Sequence, residues 1–320
     1  MGHMNKDMFQ IARSWMALVV TALAMTACEY KELVDGQEPD NRVPVEISFD
    51  WQNVDSIPTR MQVMFYRGNE SGYQRCDVGN GTSTIYITPG EYNITAWNND
   101  GSHVYFNDYS RQENINATTP VFNPQNGLGI QNLLDSLYPG QKILDYPDYM
   151  VHGNMLGVKV DYNSPQKIVM TPDSMVVTVD VNIGGIAGLE MVRQVKGAIG
   201  NVAGRRYMAY ENRVTDPSTV IFAARSNVTD STVTAHFWVF GLEPEDLEGS
   251  EHKATLFFWT TGGNVFIEID ISDFIRKVGK DADILSIDIP DLDIDLKDYI
   301  HNGWDVNIDD WDNVVKPIGF

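Results

Sequence analysis

The side chains that could do chemistry in this sequence are scattered rather than grouped. The histidines beyond the first few residues show neither HxH nor HxxxH spacing, so the zinc-protease pattern is absent: His103, His152, His236, His252 and His301. Neither a Gly-x-Ser-x-Gly elbow nor a Gly-x4-Gly-Lys-Ser/Thr phosphate loop occurs. Cys76 has no adjacent histidine, and we interpret it as an inert thiol. We therefore predict no catalytic residues, no metal ligands, no cofactor and no enzymatic activity.

A run of acidic residues near the C-terminus has a superficial calcium-loop spacing. Asp291, Asp293 and Asp295 alternate, but Leu296 and Asn302 stand where an EF-hand needs glycine and glutamate. A different calcium site is one alternative. The favoured interpretation is structural: the aspartates line the outer face of extended segments, where charge discourages edge pairing. The apolar residues between them would then face the core: Ile287, Ile289, Leu292, Ile294 and Leu296.

The N-terminal segment predicts export and lipid attachment. Residues 1–3 are an expression scar, and a positively charged start followed by an apolar run over residues 15–24 is typical of a signal peptide. The sequence Met-Thr-Ala-Cys at residues 25–28 resembles the lipobox of bacterial lipoproteins. This resemblance implies cleavage before Cys28 and attachment to the membrane through lipid on Cys28. Residues 1–27 are thus predicted to be scar plus signal peptide, and an ordinary signal peptide is the alternative.

The charge balance excludes two classes of partner. The 320 residues include 44 Asp and Glu against 23 Lys and Arg, a formal net charge of −21. Binding to nucleic acid, or loosely to anionic lipid, needs a basic surface, so neither is expected. An apolar content of 43% is sufficient for a folded core. Residues 28–42 are polar and lack apolar periodicity, which predicts a flexible linker.

From Val43 onward the sequence predicts strands. Apolar and polar residues alternate with period two in many short runs, separated by turns rich in glycine and proline. This pattern predicts an all-β fold of two tandem β-sandwich domains, residues 43–172 and residues 173–320. The Gly-Gly-Ile-Ala-Gly stretch at 184–188 lacks the spacing of a dinucleotide loop and predicts a turn.

Residues 98–150 interrupt the strand pattern with a segment rich in Asn, Asp, Pro and Tyr. We interpret this segment as a decorated loop region of the first domain, with a short helix over residues 128–137. Its aromatic residues could form a binding surface or could pack beneath the loop: Tyr105, Phe106, Tyr109, Tyr138, Tyr146 and Tyr149.

Four tripeptides of Asp, Ser and then an apolar residue or Thr are present. They resemble the O-glycosylation motif of Bacteroidetes, which implies glycans on Ser56, Ser136, Ser174 and Ser231.

Several segments together resemble the fimbrillin-like lipoproteins of Bacteroidales. They are the lipobox at Cys28, Thr88–Trp97 with its Pro-Gly-x-Tyr turn, the Gly-Ala-rich segment Val195–Gly204, and Trp304–Trp311. The resemblance covers nearly the whole mature chain, and it is nearest to an uncharacterised family within the group. It implies two transthyretin-like (Ig-like) β-sandwiches and a location at the outer membrane, exposed on the cell surface.

The same resemblance implies a fimbrial anchor, accessory or tip-type subunit, active in pilus assembly or adhesion. Fimbrial partners would bind by β-strand addition, in which a neighbour's strand replaces the first strand after proteolysis. Arg42 is the nearby candidate for that cleavage, and an anchor subunit would need no cut. The alternative is a glycan-binding outer-membrane lipoprotein of a polysaccharide-utilisation system, with sugar platforms on Trp51, Trp97, Trp304 or the loop tyrosines.

Overall fold

The described part of the chain is almost entirely β-structure, which confirms the predicted fold class. The computed structural model describes residues 41–68, 72–123, 130–162, 166–209, 214–242 and 251–299. Among these residues, no helix is long and apolar enough to cross a membrane.

The strands and helices follow one another along the chain in this order. The first strands are β1 (Val43–Phe49), β2 (Arg60–Tyr66), β3 (Tyr73–Gly79), β4 (Ser83–Ile87) and β5 (Gly90–Asn98). The middle of the chain contains β6 (Tyr105–Asn107), β7 (Asn116–Thr118), helix α1 (Gln131–Leu137), β8 (Lys142–Asp145), β9 (Val151–Val160), β10 (Gln166–Met170) and β11 (Asp173–Ser174). Then follow β12 (Val177–Ile183), β13 (Ile186–Ala187), β14 (Val192–Tyr207), β15 (Val214–Ala223), β16 (Arg225–Asn227), β17 (Thr232–Val239), β18 (Lys253–Thr260) and β19 (Asn264–Asp270). The last elements are helix α2 (Ser272–Val278), β20 (Ile284–Ile289) and β21 (Ile294–Asp295).

The first sandwich packs a three-stranded sheet on a five-stranded sheet. The strand orders are β10-β1-β4 and β11-β9-β5-β2-β3. Alternation places one face of each strand in the core, and Val45, Ile47 and Phe49 of β1 are buried there. Strand β11, at Asp173, pairs with β9 and thus extends the five-stranded sheet. The boundary at 172/173 stays a prediction.

The second sandwich packs a four-stranded sheet on a seven-stranded one. The four-stranded sheet has the order β16-β17-β12-β20, and the larger sheet runs β19-β18-β14-β15-β8 with β6 and β7 attached. Strand β20 lies at the edge of its sheet, with Ile287 and Ile289 buried and Asp288 exposed. Leu292, Ile294 and Leu296 are also buried, as the alternation predicted.

The segment 98–150 joins the second sandwich, although the sequence suggested a decoration of the first. Strand β7 pairs with β14, and β8 runs parallel to β15. Helix α1 begins at Gln131, somewhat later than predicted, and packs its buried Leu133 and Leu134 with Phe257 and Phe266 of the large sheet. The segment packs on the second sandwich because its strands can pair with the edges of β14 and β15, and because the outer face of their sheet is apolar.

Two glycines of β14 make room for aromatic rings: Gly200 for Tyr138 of the segment that covers the sheet, and Gly197 for Phe222 of β15 in the core of the second sandwich. A Cβ atom at Gly200 would collide with the ring of Tyr138, and one at Gly197 would collide with the ring of Phe222. The Tyr138 hydroxyl lies 2.7 Å from Oγ1 of Thr255. The Gly-Ala-rich character of this strand therefore follows from the aromatic rings that pack on it.

A third apolar core joins the two sandwiches. Met64, Tyr66 and Trp97 lie on the outer face of the five-stranded sheet and pack with Met208 and Phe240 of the second sandwich. Trp97 is fully buried in this core. The outer face of β2 is thereby buried as well as its inner face, which explains a burial pattern that does not alternate.

Candidate interaction site at the first strand

Strand β1 is the element that the proposed strand exchange would concern, and it lies in the centre of its sheet. It pairs in parallel with β10 and antiparallel with β4, over five register pairs on each side. Val45 and Ile47 have no exposed surface, and Phe49 is 9% exposed. Burial of each such side chain contributes about 1.5–3 kcal/mol, so β1 stabilises the first sandwich substantially.

Arg42 directly precedes β1. It is half-buried, and its charge acts on the thiol of Cys76 in β3. A cut after Arg42 would separate the residues before it from the sandwich, whereas all residues of β1 follow the cut. The position of Arg42 therefore does not suit the removal of β1, which differs from the role that the resemblance implied.

Cys76 lies in the core that β1 covers. Its side chain is buried in the same core as Val45 and Ile47, and it is the free cysteine of the described residues. Burial and then the neighbouring Asp77 raise the pKa of the Cys76 thiol, Arg42 opposes them, and the resulting pKa is about 12. Such a thiol is unreactive at neutral pH, which agrees with the inert role predicted from the sequence.

The four serines of the glycosylation motifs fall into two groups. Ser56 lies in an exposed bend and Ser136 on the exposed side of α1. Ser174 and Ser231 are half-buried; the Ser174 hydroxyl donates to the carbonyl oxygen of Val176 at 2.9 Å. Only Ser56 and Ser136 therefore present their side chains as accessible acceptors. Cys28 and Trp304 lie outside the described residues.

The aromatic residues proposed as sugar platforms mostly pack. Trp97 is buried in the core between the sandwiches. Trp51 is half-buried, its ring centroid lies 5.1 Å from that of Phe49, and its Nε1 donates to the carbonyl oxygen of Asn80. Tyr138 is buried, whereas Tyr105 is 55% exposed. The remaining candidates of the loop region are half-buried: Phe106, Tyr109, Tyr146 and Tyr149.

The four described histidines are dispersed in space as well as in sequence, and His301 lies outside the described residues. His236 pairs with Asp180 on the exposed face of the four-stranded sheet, and His103 pairs with Asp148 in a loop. His152 and His252 are buried. Within the described ranges, no group of three or more His, Cys, Asp or Glu side chains could hold a metal ion.

A polar cleft between the two sandwiches is the feature that sequence reasoning missed. His152, Asp173, Arg206 and Asp283 all line it, although they are far apart in the sequence. The signal that could have indicated it is weak: His152 and Arg206 are polar residues inside apolar strands, a pattern that typically marks a packed or edge position. Their convergence depends on how the two sandwiches dock.

Comparison with solved structures shows that the fold is shared with proteins described as adhesins. A Bacteroides ovatus protein described as a "putative adhesin" matches with a TM-score of 0.60 at 19% identity, covering 81% of this chain and 99% of that one. A second Bacteroides ovatus "putative adhesin" matches with a TM-score of 0.50 at 8% identity, covering 77% and 88%. The fimbrial anchor protein Mfa2 from Porphyromonas gingivalis gives 0.46 at 16% identity, covering 73% and 84%.

The two B. ovatus likenesses confirm the β-sandwich fold that the resemblance implied. No protein of curated function matches the sequence. A family model described as a domain of unknown function, DUF5119, matches residues 27–223. Because that match spans more than half of the 320 residues, the chain belongs to the DUF5119 family.

Proposed function

We propose that this protein is a non-enzymatic, lipid-anchored subunit of a fimbrial adhesion system, of anchor or accessory type, at the surface of the outer membrane. The observation that carries this proposal is the setting of β1. Its core side chains fill the groove between β4 and β10, and a polar linker that begins at Cys28 precedes it. The adhesin descriptions of the two B. ovatus relatives support a role in surface adhesion.

Strand addition supplies the mechanism of assembly. A strand in the position of β1 gains backbone hydrogen bonds on both sides, and its alternate side chains fill three core pockets. In this chain, β1 occupies that position itself. A subunit that keeps β1 cannot accept a neighbour's strand there, so it terminates an assembly rather than extending it. This is the behaviour required of an anchor.

Cleavage at Arg42 would have a different purpose under this proposal. The cut would remove residues 28–42 together with the lipid on Cys28, and β1 would stay in its sheet. We therefore propose that a cut after Arg42 releases the protein from the membrane without opening the groove. Ser56 and Ser136 are the proposed glycosylated positions, because their side chains are exposed.

The lipid anchor is tested by fractionation of cells that express single-cysteine variants. Cys28→Ala should move the protein from the outer-membrane fraction to the soluble fraction. Cys76→Ala is the matched control, because it removes the other cysteine and should leave the protein in the membrane. Equal distribution of the two variants would contradict the anchor.

The fimbrial role is tested by co-purification with pilin subunits expressed from the same cells. We expect the full-length lipoprotein to retain at least one pilin subunit after detergent extraction. Failure to capture any fimbrial subunit, with the lipoprotein itself intact in the membrane, would contradict the fimbrial role and leave the anchor untouched.

A further inference from the structure

The cleft between the two sandwiches has the size and the walls of a ligand site. It encloses about 650 Å³, within the range of about 300–1,000 Å³ that is typical of small-molecule sites. The first sandwich contributes Asn53, Asp55, His152 and Asp173, and the second contributes Arg206 and Asp283. The walls are polar, which separates this cleft from the apolar cores on either side of it.

His152 presents an acceptor atom in this cleft. The side chain is 6% exposed, and its Nδ1 lies 3.3 Å from the carbonyl oxygen of Met208. Because a carbonyl oxygen only accepts, Nδ1 carries the proton and Nε2 is the acceptor of the neutral ring. Burial, and then the charge of Arg206, lower the pKa of His152 to about 4, so the ring is neutral at physiological pH. His152 lines the cleft, and the contact with Met208 engages Nδ1, so Nε2 remains as the acceptor that the ring can offer to a ligand there.

Arg206 supplies the complementary donor. The side chain is 7% exposed, and its Nη1 donates to the carbonyl oxygen of Phe240 at 3.1 Å. Burial lowers the pKa of Arg206 to about 10, and Asp283 opposes that shift, so the guanidinium stays protonated at neutral pH. The cleft thus combines a fixed cation with a fixed neutral acceptor, both held by backbone carbonyl groups.

Carboxylates and amides complete the walls. Asp55, Asp173 and Asp283 are exposed at the cleft, and Asn53 Nδ2 donates to Oδ1 of Asp173 at 2.7 Å. Three carboxylates against one guanidinium disfavour an anionic ligand. Polar walls also disfavour an apolar ligand, which could not pair with them. A ligand that both donates and accepts through many groups, without a charge of its own, fits the walls best.

Aromatic rings lie beside the cleft. Ile284, which lines it, neighbours Thr178 in register, and Thr178 neighbours the half-buried Trp238 on the same face of the sheet. The ring centroid of Tyr149 lies 5.8 Å from that of Trp238, and the Tyr149 hydroxyl accepts from the backbone nitrogen of Asp55 at 3.1 Å. Aromatic faces can pack against the C–H face of a sugar ring.

We infer that the cleft between the two sandwiches binds a neutral saccharide, with His152 and Arg206 as buried hydrogen-bonding partners and the exposed carboxylates as further acceptors. Each sugar hydroxyl can donate to Nε2 of His152 or to a carboxylate and accept from Arg206. The inference goes beyond the anchoring role and does not depend on it. A saccharide bound here would give an anchored subunit an adhesive contact of its own.

The test uses the detergent-solubilised full chain on an array of neutral glucans, mannans, galactans and xylans, with glycans that contain uronic or sialic acid as charged counterparts. Calorimetry then measures the affinity for the best ligand. We expect a neutral glycan to bind, and the double variant Asp173→Ala/Asp283→Ala to weaken its binding at least tenfold. The matched control is Glu46→Ala/Asp135→Ala, which removes two carboxylates outside the cleft and should leave the affinity unchanged.

A second variant tests Nε2 of His152 as an acceptor. His152→Phe removes Nε2, and we expect it to abolish binding while thermal unfolding verifies that the chain still folds. If His152→Phe does not fold, the Asp173→Ala/Asp283→Ala variant still tests the inference. The inference is overturned when no neutral glycan binds at millimolar concentration, when charged glycans bind better, or when both double variants bind equally. Capture of pilin subunits should be unaffected by every variant, so the fimbrial proposal fails or succeeds separately.

Discussion

Each sandwich has a strand that lies between a parallel and an antiparallel neighbour, but only the one in the first sandwich could be exchanged. In the first sandwich, β1 lies between the parallel β10 and the antiparallel β4. In the second, β12 lies between the parallel β20 and the antiparallel β17. Strand β1 is the first strand of the described residues, whereas β12 continues directly from β11 and the first sandwich. The first strand of a domain can be displaced on its own. A strand in the middle of the chain is joined to folded segments at both ends, so it cannot leave its sheet without moving both of them.

Backbone hydrogen bonds also fix the end of β12 in the second sandwich. The backbone nitrogen atoms of Leu292 and Ile294 donate to the carbonyl oxygens of Gly184 and Gly185. A Cβ atom at Gly184 would collide with the carbonyl oxygen of Pro290, so only glycine permits this close approach. The glycine stretch predicted as a turn therefore also ties the end of β12 to the chain that follows β20.

The largest expected effect comes from a buried charge in each of these strands. In a Cys28→Ser background, Ile47→Asp in β1 and Val181→Asp in β12 should each destabilise the fold by several kcal/mol, about the cost of burying an unpaired polar group. In the β1 variant, the Cys76 thiol should become reactive to maleimide, and a peptide of residues 43–49 added in trans should restore protection. A peptide of residues 177–183 should not rescue the β12 variant. Rescue of both variants, or of neither, would contradict the difference between the strands.

The junction between the sandwiches should weaken in acid. Burial lowers the pKa of His152 to about 4, Arg206 acts in the same direction, and Asp173 opposes them. In the unfolded state, His152 takes up a proton as the pH falls through about 6.5, whereas in the folded state it does so only near pH 4. The contribution of His152 to the free energy of unfolding is therefore fully present above pH 6.5 and decreases as the pH drops towards 4. The expected loss is about 3 kcal/mol. Denaturant unfolding from pH 7.5 to 4.5 measures it, with His152→Gln expected to flatten the profile and His236→Gln, on the exposed sheet face, expected to leave it unchanged.

The layer over the second sandwich should be sensitive to added volume. Gly200→Val places a side chain against the buried ring of Tyr138 and should destabilise the protein by about 1–3 kcal/mol. Gly79 has open space around it, so Gly79→Ala is the control and should change the midpoint of thermal unfolding little. An unchanged midpoint for Gly200→Val would mean that the layer is not packed as described.

The smallest effect concerns one hydrogen bond in that layer. Tyr138→Phe removes the hydroxyl that lies 2.7 Å from Oγ1 of Thr255, and the expected loss is about 1 kcal/mol. Tyr105→Phe, at an exposed position, should have no effect in the same denaturant titration. Equal values for the two variants would show that the buried hydrogen bond does not stabilise the fold.

The sequence predicted those features that depend on local alternation. Ile287 and Ile289 are buried and Asp288 is exposed because period two alone decides which side of a strand faces the core. The helix near residue 131 and the end of β12 before Gly184 were likewise signalled by their own neighbours. These features need no knowledge of distant parts of the chain. The stretch 184–188, predicted as a turn, contains the short strand β13, which pairs with β21.

The features that depend on docking could not be predicted in this way. Met64 and Tyr66 occupy the outer face of β2 and would be exposed in an isolated sandwich, but the second sandwich covers them. The parallel pairing of β8 with β15 joins residues more than seventy positions apart, and short strands give little signal of such a partner. The cleft at His152 and Arg206 depends on the same docking, so the candidate ligand site became visible only in three dimensions.

We propose that the mature protein keeps β1 in its groove and its lipid on Cys28. The direct measurement is the intact mass, with N-terminal peptide mapping, of the protein isolated from outer membranes of its source cells. We expect an acylated Cys28 as the first residue, followed by uncut residues 29–42 and all of residues 43–49. A mature N-terminus beyond Phe49 would show instead that β1 is lost and that the groove is open.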